Sequence, residues 1–120
     1  MVEKLYRCGL EAALDIIGGK WKVLILWHLE ESQRFGELRR KVSGVSEKML
    51  IQQLRELESA GVVARKDFQE VPPKVEYSLT PFGRSLKAAL TPLCDWGKKH
   101  MKRIEGLHAT CEKTKLSNSP

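Results

Sequence analysis

Three sets of side chains in this 120-residue sequence could do chemistry. The first is a series of hydrogen-bonding groups, Ser46, Lys48, Gln52, Gln53 and Arg55, within the stretch Ser46 to Gly61. Projected at about 100° per residue, Lys48, Gln52, Arg55 and Ser59 fall on one side of a helix and Leu50, Leu54 and Leu57 on the other. Such a face can read base edges, because a Gln amide pairs bidentately with adenine and Arg or Lys pairs with guanine. Taken alone, such a face is most often an ordinary solvated surface. The second set is Arg39, Arg40 and Lys41, which suits phosphate contacts that position a protein on a duplex without specifying sequence. The third is Cys8, whose neighbours Lys4 and Arg7 favour the thiolate, the reactive form of the side chain.

Enzymatic constellations are missing from the sequence. It holds no Gly-rich phosphate loop, no Gly-x-Ser-x-Gly elbow and no His-Glu-x-x-His pair, so no catalytic residue is assigned. His28 stands inside an apolar run, where a histidine is expected to be a hydrogen-bonded core residue. The three cysteines, Cys8, Cys94 and Cys111, cannot all pair within one chain and have no zinc-finger spacing to His28, His100 and His108. A reducing cytoplasm, no metal and no cofactor are expected. Lys and Arg number 21 against 15 Asp and Glu, a net charge of +6 that favours an acidic partner without proving one. The start MVEKLYRCGLEAAL does not read as a secretory signal, and Val23 to Trp27 is far too short to span a bilayer. No membrane partner is expected.

The elements that must position these groups can be read from periodicity. Leu10, Ala13, Leu14 and Ile17 share one face of a short helix ended by Gly18-Gly19, and Trp21 to Leu29 reads as a buried helix at the centre of the core. Phe35, Leu38 and Val42 mark a third helix with the basic triplet on its flank. Ser46 caps the next helix, with Glu47 in its first turn, and Gly61 ends it. Val62 to Phe68 and Lys74 to Thr80 read as two strands, the second alternating Val75, Tyr77, Leu79 with Lys74, Glu76, Ser78. The intervening Gln69 to Pro73 is an exposed loop, since Pro72-Pro73 cannot donate to a ladder. Thr80-Pro81 opens a long helical stretch with a stripe of Phe82, Leu86, Leu90, Leu93, Met101 and Ile104, and Thr91-Pro92 is expected to kink or split it. Residues 106–120 read as a flexible tail.

This order predicts a mainly α fold with a small β-hairpin, a winged helix-turn-helix, in which Ser46 to Gly61 enters a major groove. The loop beside it, with Gln69 and Lys74, would touch flanking backbone. Glu70 and Glu76 argue against a strongly basic wing. The preceding helix and following hairpin are what turn the Lys48, Gln52, Arg55 face from a merely solvated one into a reading one.

The same residues resemble a known family. Cys8 and Gly18-Gly19-Lys20-Trp21, then Arg34-Phe35-x-Glu37-Leu38-Arg39, Ser46-x-Lys48-x-Leu50 and Leu54-Arg55-Glu56-Leu57-Glu58 run in order along the chain. Gly61-Val62-Val63-x-Arg65, Pro72 through Thr80, Gly83-Arg84-Ser85-Leu86 and Trp96-Gly97 complete a pattern similar to that of the HxlR-type, MarR-like winged-helix regulators. The resemblance implies a cytoplasmic homodimer that binds pseudo-palindromic double-stranded DNA operators, most often as a repressor. It implies one domain over 1–105, with a DNA-binding core at about 20–80 and dimerisation helices at about 8–17 and 81–105. Leu10, Leu14, Leu86, Leu90, Leu93, Trp96, Met101 and Ile104 would then form the dimer seam, for which a chain this small has no other cover. Packing onto the chain's own domain is the competing use of that stripe. Arg65 joins Arg39, Arg40, Lys41, Gln69 and Lys74 as expected DNA-backbone contacts.

Some family members are redox or electrophile sensors through a cysteine at the position of Cys8. Gly9 stands where proline commonly follows that cysteine, which loosens the local backbone. The residues leave a sensing thiol and an inert one both open, and specify no small-molecule or oxidant effector. Cys94 is expected to pack in the apolar stretch, and Cys111 to lie in the tail. The competing reading from another class is a winged-helix protein-interaction module with little DNA affinity.

Overall fold

Helix α2 (Lys20–His28), nearly all apolar, can be stable only where other elements cover it, and the chain is arranged around that requirement. A computed structural model describes residues 5–107. In chain order its elements are α1 (Gly9–Ile17), α2, β1 (Gln33–Arg34), α3 (Phe35–Lys41), α4 (Glu47–Ser59), β2 (Val63–Asp67), β3 (Val75–Leu79) and α5 (Pro81–Lys99). Two compact units divide the chain, Met1–Lys87 and Ala88–Pro120. The expected DNA-binding core falls within the first. Among the described residues no helix is long and apolar enough to cross a membrane.

In the first unit Ile25, Leu26 and Leu29 meet Leu38 and Val42 of the α3 region and Leu50, Leu54 and Leu57 of α4, all nearly inaccessible to water. Burying each such side chain contributes about 1.5–3 kcal/mol. His28 at the end of α2 is only half-buried, at the rim of this core rather than inside it.

The sheet has three antiparallel strands in the order β1-β3-β2, not the two of the expected hairpin. Val63, Ala64 and Arg65 pair with Leu79, Ser78 and Tyr77, and Gln33 and Arg34 of β1 pair with Tyr77 and Glu76 on the other edge of β3. A two-residue polar strand has no periodicity to read; it is held by backbone bonds, and Gln33 is buried by them. Helix α5 is not split at Pro92. The proline and Ala88, whose carbonyl loses its donor there, are both exposed, so water can take the missing bond. The helix gives way instead to a turn at His100, bridged by bonds from His100 N–H to the Trp96 carbonyl and from Ile104 N–H to the His100 carbonyl; residues 101–107 are again helical, two positions past the expected start of the tail. The remaining tail residues, with His108 and Cys111, lie outside the described residues.

One junction fixes the start of α5. Thr80 Oγ1 donates to the Gly61 carbonyl at 2.5 Å and accepts from Gly83 N–H at 3.0 Å, while Thr80 N–H bonds the Val62 carbonyl. Gly61 itself has φ +77°, the left-handed turn that ends α4. Gly83 comes so close that a Cβ there would stand 2.1 Å from the Val62 carbonyl oxygen. Helix propensity alone would make Gly83→Ala stabilising by about 1 kcal/mol. The backbone clash outweighs it, and we expect a net loss of about 1–3 kcal/mol, read as a lower denaturation midpoint. A midpoint raised by the substitution would show that α5 can slide off Val62.

Candidate nucleic-acid interface

Burial of Leu50, Leu54 and Leu57 on one side of α4 leaves the opposite side outward, and that side carries the expected readers. Ser46 caps the helix, accepting from Met49 N–H at 3.1 Å. Its oxygen is thereby engaged, while its hydroxyl proton remains able to donate. Lys48, Gln52 and Arg55 are exposed, and Lys48 and Arg55 have no acidic partner among the described residues. With Ile51, Glu47 and Glu56 they line a shallow open groove along the helix. Gln53 departs from the expected set. It is half-buried and its amide donates to Met49 Sδ at 3.4 Å, because it stands about 140° around the helix from Lys48, on the margin of the core side.

The basic flank, Arg39, Arg40 and Lys41, is exposed on α3. Arg39 Nη1 lies 3.8 Å from Glu47 Oε2, an exposed contact of little energetic weight. Arg40 and Lys41 are exposed and have no acidic partner among the described residues. Arg65 lies on the sheet face turned to α4, lining a cleft with Arg55, Glu58, Phe35 and Tyr77. It is thus close to α4 rather than out on the wing.

At the wing Phe68 N–H bonds the Lys74 carbonyl and Gln69 N–H bonds Asp67 Oδ1 at 2.8 Å, closing the turn with Gln69 at φ 53°. Lys74 and Lys66 both lie over the Phe68 ring, at 4.4 and 4.7 Å from its centroid. Lys74 also contacts Glu76 at 3.6 Å. Lys66 is absent from the expected contacts, although its place on β2 opposite Glu76 and two residues before an aromatic ring was the available signal.

Another omission is Lys22. Its ammonium reaches from α2 to Glu56 Oε2 at 2.6 Å, and Glu56 Oε1 in turn accepts from Gln52 Nε2 at 3.5 Å. Hydrogen bonding from Lys22, followed by that from Gln52 and the Lys22 charge, holds the Glu56 carboxyl below its ordinary range. No sequence pattern marks a partner thirty-four positions away; only the packing of α2 on α4 does.

Elsewhere, the Cys8 thiol is free and exposed at the N-cap of α1, and Arg7 just before it pairs with Glu11 of the helix at 3.7 Å. Cys94 is free and half-buried. Leu10 and Leu14 on α1 are exposed, as are Leu93, Trp96 and Met101, whereas Leu86, Leu90 and Ile104 are half-buried. Among the described residues no group of three His, Cys, Asp or Glu could hold a metal ion.

A family model described as HxlR-like helix-turn-helix matches residues 16–105. The chain is 50% identical over 107 residues to the HTH-type transcriptional regulator YtcD of Bacillus subtilis, covering 88% of this chain and 85% of that one. Among solved structures it is similar to the redox regulator HypR in its reduced form, with a TM-score of 0.77 and 43% identity over 82% of this chain and 99% of that one. The reduced transcriptional regulator YodB of B. subtilis gives a TM-score of 0.68 at 33% identity, over 78% and 94% of the two chains.

The Glu56 carboxyl is more acidic in the folded chain than its ordinary value, so it stabilises the fold above the ordinary carboxylate range, and that contribution disappears as pH falls through the lowered folded value. We expect Glu56→Gln to be less stable than wild type at neutral pH and the gap to narrow in acid, as read by denaturant melts across pH. A gap independent of pH would remove the charge of Glu56 from the stability of the fold.

Proposed function

The chain belongs to the HxlR-like helix-turn-helix family of transcriptional regulators, which are not enzymes, and from that premise we propose that it binds a pseudo-palindromic DNA operator as a homodimer and represses. The observation that carries this reading is the outward face of α4, where Lys48 and Arg55 stand unpaired among the described residues beside Gln52. Each subunit places α4 in a major groove, with Lys48, Gln52, Arg55 and the Ser46 hydroxyl toward base edges. Arg39, Arg40, Lys41 and Arg65 meet phosphates, and the wing with Gln69, Lys66 and Lys74 lies beside them. Half-sites are about one helical turn or a multiple apart. Gln53, held at Met49, takes no part.

The homodimer is supported by the large apolar side chains left open on α1, on α5 and after it, Leu10, Leu14, Leu93, Trp96 and Met101, since such surface is normally covered. The half-buried Leu86, Leu90 and Ile104 would border the same seam. Cytoplasmic action follows from a DNA partner. The exposed Cys8 thiol close to Leu10 and Leu14 in the chain, together with the redox regulator HypR among the similar structures, supports regulation by an oxidant at Cys8.

We expect Gln52→Ala to weaken binding to the preferred site by about 1–3 kcal/mol while barely changing binding to random DNA. Arg40→Ala should weaken both alike and lower the salt slope by about 1. Fluorescence anisotropy at several salt concentrations separates the two, and binding without a salt slope would point to a protein-interaction module instead. For Cys8, diamide should release wild type from DNA and leave Cys8→Ser bound; equal release of both would remove Cys8 from the response.

A further inference from the structure

We propose that Glu56 is a positioning residue for specificity, fixing the Gln52 amide in the one orientation that accepts adenine and rejects guanine. This rests on the DNA-reading role proposed above for α4.

An ionised carboxylate only accepts hydrogen bonds, so the side of the Gln52 amide facing Glu56 has to be Nε2. The 3.5 Å contact from Gln52 Nε2 to Glu56 Oε1 has that sense. Its consequence is on the opposite side of the amide, where Oε1 and the second N–H are left to point away from Glu56. Adenine offers one donor, N6–H, and one acceptor, N7, in the major groove, whereas guanine offers two acceptors, N7 and O6. One outward oxygen with one outward N–H matches adenine. Against guanine the same arrangement sets Oε1 against O6, two acceptors without a proton between them.

Lys22 makes this arrangement usable on a DNA-facing helix. Its ammonium, 2.6 Å from the other oxygen of Glu56, keeps the carboxylate ionised and cancels the charge that would otherwise repel phosphates. The Lys22 side chain is itself only 16% exposed, held by the packing of α2 on α4. The orientation of Gln52 is therefore tied to the core through two contacts, and a free glutamine on a solvated helix has no such tie. Lys48 and Arg55 carry donors only and have no orientation to choose.

The test starts with duplexes selected by the wild-type protein from a randomised library. The position read by Gln52 is the one whose preference Gln52→Ala erases, and adenine is expected there. Glu56→Gln is nearly isosteric, and its amide can donate to Gln52 Oε1, which permits the flipped orientation. We expect its adenine-to-guanine preference at that position to fall at least about fivefold in competition binding, with other positions keeping theirs. Glu56→Ala should do the same and guards against an unforeseen contact of the new amide. Thermal melts confirm that each variant is folded.

A preference at that position for a base other than adenine, or no position that depends on Gln52, overturns the inference. So does a Glu56 variant that weakens every sequence equally, the mark of a merely structural role. Failure of the wild type to select any sequence would instead sink the DNA-reading role itself.

Discussion

The outward side of α4 depends on how α2 is buried. A nine-residue helix that is apolar on nearly every side needs cover all round, and α4 supplies it with Leu50, Leu54 and Leu57. At about 1.5–3 kcal/mol for each buried leucine, turning α4 by one residue about its axis would cost more than any set of surface hydrogen bonds could return. The outward direction of Lys48, Gln52 and Arg55 is thus a by-product of apolar burial on the reverse side. Side chains that must recognise a partner are best held by a core whose geometry does not depend on that partner.

Much of this was legible because burial leaves a period in the sequence. The leucine spacing of α4, the cap at Ser46 and the stop at Gly61 all mark that helix without reference to anything distant. Alternation in Val75, Tyr77 and Leu79 likewise marks β3. What escaped has the opposite character. Strand β1 is made by backbone bonds to Tyr77 and Glu76, more than forty residues away, and two polar residues carry no signal of that. The Lys22 contact with Glu56 is similarly a product of helix packing, since Lys22 reads simply as the polar member of an apolar run. Gln53 sits differently from Lys48, Gln52 and Arg55 for a local reason. Its type suits base reading, but its angle around the helix puts it at the core margin, and angle outranks type when a helix has one buried face.

Ion pairing leaves the net charge of +6 unchanged but decides where positive charge is free, because several cations are committed. Lys22 is committed to Glu56, Lys87 to Glu30 beside the Trp27 ring, and Lys74 to Glu76 and Phe68. The Lys87 contact lowers the Glu30 carboxyl in the way that Lys22 lowers Glu56. Partly exposed pairs of this sort contribute modestly to stability, so their larger effect is on where charge remains free. Lys48, Arg55, Arg40 and Lys41 stay without an acidic partner among the described residues, and they cluster around α3 and α4. Free positive charge on α3 and α4 thus lies on the same face as the side chains proposed to read bases.

That coincidence bears on how a signal at Cys8 could be felt. The thiol lies at the N-cap of α1, outside the groove along α4 and close in the chain to the exposed Leu10 and Leu14, so its modification changes neither the outward side chains of α4 nor its free cations directly. In a dimer, however, affinity for a two-part operator depends on the spacing of two recognition helices as well as on their surfaces. A chemical change near the seam needs only to alter that spacing to lose one half-site, and with it the gain from binding both halves at once. The core around α2 then has a second use. By keeping each outward face of α4 intact, it would leave the relation between subunits of the proposed dimer as the variable on which regulation acts.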